Sequence, residues 1–184
     1  FLASDHDICF AILLAMKEKS VEDVVEEVDE MYRILKERFA FHDSAVYSLC
    51  QVLAVYEGTP AEKCEKVTDI YNELKDAGVK YGKEYELASL GTLIDVNLET
   101  KALAAEIEET DQYLKTKKGF GFLDMGKETR YMYSAMLVSD CYAKEGTNNR
   151  VAVMEGTVAM VVEEEVALMI MMMSMLTVTT IINN

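Results

Sequence analysis

Both histidines of the chain stand beside acids, in Asp5-His6-Asp7 and in His42-Asp43. Imidazole nitrogens and carboxylate oxygens together suit a divalent ion, so loops that brought Asp5, His6, Asp7, His42 and Asp43 together could hold one. The simpler reading makes Asp7 and Asp43 N-cap or first-turn acids of helices and leaves the histidines facing solvent. Cys50 could be imagined as a nucleophile with His42 as its base, but two helical turns separate them, a rise of ~12 Å that excludes contact. Gly121-Phe122-Leu123-Asp124-Met125-Gly126-Lys127-Glu128 comes within one residue of a phosphate-binding loop. Its mechanism fails: Glu128 replaces the hydroxyl that would hold magnesium, and Asp124 would face the phosphates. Such a loop also follows a strand, whereas a helical pattern precedes this one. Gly119-Phe120-Gly121-Phe122 offers two glycine-flanked rings, Phe120 and Phe122, that either anchor a partner or plug a gap between packed helices.

The remaining acids lie on polar faces, where water keeps carboxyl groups ordinary. Gly-x-Ser-x-Gly, His-Glu-x-x-His and Glu-x-x-His are all missing from the sequence. No catalytic residue, cofactor or dedicated metal box is therefore visible. The four cysteines, Cys9, Cys50, Cys64 and Cys141, lie far apart in the chain, with no Cys-x-x-Cys pair. Each falls on an apolar helical position, the pattern of free buried thiols in a reducing cytoplasm.

Charge narrows the partners. Thirty-three acids against 18 bases give a net charge of −15, and no basic stripe offsets it. Such a surface repels nucleic acid and anionic lipid. A protein or peptide partner remains compatible with it.

The elements that must position these residues read as helices throughout. One proline and nine glycines among 184 residues leave little material for the turns of a sheet. Val21, Val24, Val25, Val28, Met31, Tyr32, Leu35 and Phe39 recur at three- and four-residue steps and predict one apolar face over 20–39. Ser20 and Asp23 form a capping start. A second, more apolar helix is expected over Asp43 to Tyr56. Thr59-Pro60-Ala61-Glu62 opens a third, with threonine as cap, proline in the first turn and glutamate at its third position. Gly78 should end that helix in the left-handed conformation. Helices are expected over Glu84 to Leu98, Thr100 to Leu114 and Lys127 to Ala143.

An amphipathic helix thus alternates with a more apolar one three times. Tyr32, Tyr71 and Tyr113 occupy like places near the ends of the amphipathic helices, and Ser48, Ser89 and Ser134 mark their partners. A drifting period of roughly 40 residues predicts stacked antiparallel hairpins, as a repeat array or a multi-helix bundle. The expected organisation is one all-α domain over 1–184. Residues 1–19 read as a severed half-hairpin, 20–146 as three hairpins, and 147–184 as methionine- and valine-rich terminal helices. Phe1 is not an initiator residue, so the chain reads as the C-terminal part of a longer protein. The run from Val166 to Ile182 carries no charge, and it is at the short edge of a membrane span and without basic flanks. A buried terminal helix is expected there.

Several stretches resemble a known family. Phe1-Leu2-Ala3-Ser4 with Ile8-Cys9-Phe10-Ala11-Ile12-Leu13-Leu14-Ala15, and later Tyr47-Ser48-Leu49-Cys50-Gln51-Val52-Leu53-Ala54, are similar to helical segments of the bacterial domain-of-unknown-function family four thousand and three. Ile70-Tyr71-Asn72-Glu73-Leu74-Lys75-Asp76-Ala77-Gly78-Val79-Lys80 is similar to a hairpin end of that family. The resemblance implies a cytoplasmic, all-helical bacterial protein and supplies no catalytic residue. The methionine-rich tail departs from the small residues expected of the family.

These readings together predict a non-enzymatic module that binds a protein or peptide in a groove between hairpins. The alternative is a metal-binding protein or enzyme whose site lies at the His6 and His42 loops.

Overall fold

The computed structural model describes residues 19–39, 43–121, 125–142 and 157–158. Among them every element is helical and there is no strand. Helix α1 spans Val21–Arg38, α2 Asp43–Ala54, α3 Pro60–Asp76, α4 Thr100–Lys115 and α5 Lys127–Tyr142. A 3₁₀ helix, Tyr85–Asp95, lies between α3 and α4.

The local signals explain most boundaries. Ser20 accepts from the Asp23 amide at 3.1 Å and starts α1. Thr59 and Glu62 exchange both bonds of a capping box, and Pro60 occupies the first turn of α3 without losing a useful donor. That helix ends in a Schellman motif: Val79 N–H donates to Leu74 at 2.8 Å and Gly78 N–H to Lys75 at 3.0 Å. Gly78 has φ +84°, which a side chain would resist.

One face of α1 is narrower than its pattern predicts. Val24, Val28, Met31 and Leu35 are buried, but Val21 is 75% exposed and Val25 54%. Successive residues turn by about 100°, so a stripe set by Val24 and Val28 carries Val25 round its edge.

The 3₁₀ helix replaces the α-helix expected over Glu84 to Leu98. Three residues per turn eclipse positions i and i+3, and this segment is long for such a conformation. Leu87, Leu90 and Leu93 form one row, Ala88, Gly91 and Ile94 a second, and Glu86, Ser89 and Thr92 a third; all are buried. In an α-helix each three-residue step falls ~60° short of a turn, so these rows would spiral away from their neighbours. Hydroxyls reinforce the tight winding: Ser89 donates to the Glu86 carbonyl at 2.6 Å and Thr92 to that of Ser89 at 2.7 Å. The small row lets the backbone approach α2, where Gly91 lies against Val52 and Leu49.

Packing then sets the neighbours. Helix α1 contacts α2 and α3, the 3₁₀ helix contacts α2, α3 and α5, and α4 contacts α3 and α5. Alternate elements differ in how much they hide. Helix α2 buries Ala45, Val46, Ser48, Leu49, Cys50, Val52, Leu53 and Ala54, nearly its whole circumference. By contrast α4 buries a stripe of Leu103, Ala104, Ile107, Asp111 and Leu114.

Among the described residues two buried ion pairs cross the core. Lys63 pairs with Glu27 and also donates to the carbonyls of Leu53 at 3.1 Å and Tyr56 at 3.0 Å, which holds the end of α2. Arg130 pairs with Asp111 at 2.7 Å and donates to the Phe120 carbonyl at 3.3 Å. No helix among the described residues is long and apolar enough to cross a membrane. Val166 to Ile182 lies outside them, as do residues 1–18 of the half-hairpin expected over 1–19 and nearly all of the terminal segment.

Candidate functional site

Five of the residues singled out for chemistry, Asp5, His6, Asp7, His42 and Phe122, lie outside the described residues. Asp43 is in the first turn of α2. It is exposed, and its carboxylate stands 3.4 Å from the Lys36 ammonium. Lys36 also donates to the Tyr32 hydroxyl at 3.3 Å; that bond and then Asp43 raise its pKa. Among the described residues no group of three or more His, Cys, Asp or Glu is placed to hold a metal ion.

Phe120 is half-buried and meets Tyr133 of α5 edge-on at 5.9 Å. With its carbonyl held by Arg130, its backbone is tied to the same helix. The near-match to a phosphate loop runs from α4 into α5, so a helix precedes it, and Lys127 sits over the Tyr131 ring at 5.0 Å.

The thiols divide. Cys50 and Cys64 are buried, and burial pushes both pKa values up, that of Cys64 to about 11. A thiolate is the nucleophile, so neither is activated. Cys141 departs from the expectation of burial and is exposed. It lies on α5, whose apolar pattern extends over more of its surface than the core covers; Leu137, one turn earlier, is also exposed.

The tyrosine register also divides. Tyr32 packs edge-on against Tyr47 and Tyr71 against Phe39, but Tyr113 is 60% exposed beneath the Lys117 ammonium at 4.0 Å. Ser48, Ser89 and Ser134 are all buried.

A concavity that no sequence motif announced lies elsewhere. It has a volume of about 550 Å³ and opens beside the end of α3, a size suited to a small molecule or a short peptide stretch. Tyr71 and Lys75 come from the last turns of α3, and Val79, Lys80, Tyr81, Gly82 and Lys83 from the chain after its Gly78 cap. Glu128, in the first turn of α5, closes another side.

The loop can form this wall because the cap redirects the chain into the core. Val79 and Tyr81 are buried and Lys80 exposed, an alternation that pins the segment while presenting its ammonium. The Tyr81 hydroxyl meets Ser89 at 2.5 Å within the 3₁₀ helix. Burial raises the Tyr81 pKa, so its phenol stays neutral. Tyr71 is raised by burial as well. Gly82 permits close passage of the chain, since a β-carbon there would strike the Glu86 carboxylate.

Three ammoniums, two phenol rings and one carboxylate thus line the site. The arrangement is suited to recognition of an anionic group beside an apolar or aromatic one. The missed signal was Lys75, Lys80 and Lys83 clustered around two glycines in a strongly acidic chain.

The sequence profile of DUF4003, described as a protein of unknown function, matches residues 1–173. The chain belongs to this family. The resemblance of its helical segments to that family is therefore sound, and DUF4003 provides no catalytic residues to place in the groove. No curated protein and no solved structure is matched by this DUF4003 chain.

Proposed function

We propose that this DUF4003 chain is a non-enzymatic helical-repeat module that binds a protein or peptide partner in the groove beside α3. The neighbour relations support a stack of three pairs: α1 with α2, α3 with the 3₁₀ helix, and α4 with α5. Amphipathic members then contact in one series and apolar members in another, as stacked hairpins would. The observation that carries the reading is the groove itself, which draws its walls from the second pair and, through Glu128, from the third. Stacks of this kind present extended concave surfaces, and the lining offers ammonium, phenol and carboxylate groups suited to recognition.

Site-specific photo-crosslinking in the cells that make the protein tests this. A photoreactive side chain at Lys83 should give a discrete protein or peptide adduct, and one at Glu22 on α1 should not. Adducts of equal pattern from both positions, or none from Lys83, would reject the reading.

A further inference from the structure

We propose that the segment bound in this groove is an acidic peptide whose carboxylates pair with Lys75 and Lys80. The inference rests on the reading of the groove as a peptide site and adds the chemistry of its occupant. In a chain of net charge −15, intramolecular carboxylates are abundant. Lys19, Lys36, Lys63 and Arg130 each meet one. Among the described residues Lys75 and Lys80 meet none, as is also true of Lys101 and Lys115 on α4; what sets them apart is that with Lys83 they line a single concavity.

A concave wall of low dielectric strengthens the field of the charges it holds. A basic segment would be repelled there, and an apolar one would cover ammoniums without supplying acceptors. A polyanion such as nucleic acid would extend from the groove over an acidic surface. A Debye length of about 8 Å at physiological ionic strength confines the lysines' attraction to what sits among them. A short acidic segment gains the local attraction and avoids the wider repulsion.

The backbone adds a second feature. Between Val79 and Gly82 the chain is outside any helix, and the N–H groups of Lys80 and Gly82 have no backbone acceptor among the described residues. An extended peptide can pair with the amide of Lys80, which is exposed whereas Gly82 is buried, while its side chains reach the ammoniums. Glu128 on the far side disfavours a carboxylate at its own position and so sets which part of the segment is acidic.

The test is panning of a phage-displayed random peptide library on the immobilised full chain, followed by anisotropy titrations of the labelled winning peptides. Winners should be rich in Asp and Glu and should bind more weakly as salt rises. The Lys75→Gln/Lys80→Gln protein, with both changes on exposed side chains, should bind them roughly tenfold more weakly, about 1.4 kcal/mol. Winners without acidic residues that are displaced by a bulky adduct at a Lys83→Cys position would overturn the acidic occupant and leave a peptide site standing. Acidic winners indifferent to the double substitution would overturn the inference too. The absence of any winner would overturn the acidic peptide, and crosslinking at Lys83 would decide the groove separately.

Discussion

At the scale of single residues, a hydrogen in place of a methyl group at Gly91 decides how closely two elements meet. A β-carbon there would stand 2.6 Å from Val52 Cγ1 and 3.0 Å from Val52 Cβ. Gly91→Ala should therefore lower stability by about 1–3 kcal/mol through overpacking, read as a shift in the urea midpoint. Val52→Ala should cost about 1 kcal/mol or more by itself, yet relieve the clash when combined. The double variant should then be less destabilised than the sum of the two. Strict additivity would show that the α2 approach is not what Gly91 protects. The glycine was visible in the sequence, but its partner was not, because Val52 stands two elements earlier in the chain. Val21 and Val25 teach the same lesson in reverse. Periodicity marked them apolar, and only the position of the neighbours decided that Val24 and Val28 would be covered instead.

At the scale of elements, capped helices were legible and the 3₁₀ helix was not. Ser20, Thr59, Pro60, Glu62 and Gly78 act on amides and dihedral angles a few residues away, so their message is local. Leu87, Leu90, Leu93 and Ile94 fit a helix of either winding over so short a span. Contacts with α2, α3 and α5 on all sides select the tighter one. Its hydroxyl network should then matter more than a surface network would. Ser89→Ala removes the partner of the buried Tyr81 hydroxyl and should cost about 1–3 kcal/mol in denaturant unfolding. Adding Tyr81→Phe should recover part of that loss, because no buried hydroxyl is then left unpaired. A double variant less stable than Ser89→Ala alone would contradict this account.

At the scale of the whole molecule, the excess of acid makes pH a sensitive probe. Burial works to raise the Glu27 pKa, but the bonds and charges of Lys19 and Lys63 outweigh it, and the net shift is downward from 4.5. Glu108 behaves likewise: burial is opposed by the bonds of Gln112 and Tyr131 and the charges of Lys127 and Arg130, which together outweigh it. A carboxyl group whose folded pKa is depressed adds stability above its unfolded value and loses it as pH falls through the folded one. Stability should thus hold near neutrality and decline below about pH 4.5. Glu27→Gln should flatten that decline while lowering the plateau at neutral pH, where Lys63 loses its buried charged partner. An unchanged slope in the variant would show that Glu27 does not carry the acid limb.

The sequence by itself determined the helical class, the amphipathic and apolar alternation, most caps and the family, since each depends on residues close in the chain or on overall composition. Its candidate chemistry at the histidine loops lies largely outside the described residues, and Asp43 is seen paired to Lys36. The tertiary structure alone decided which apolar faces were covered, which winding the central helix took, and where a concavity formed. Lys75 and Tyr71 stand on one helix, Lys80 and Lys83 beyond its cap, and Glu128 much later in the chain on another. A concavity of this kind is a property of distances in space. No spacing along the chain encodes it until packing has brought those segments together.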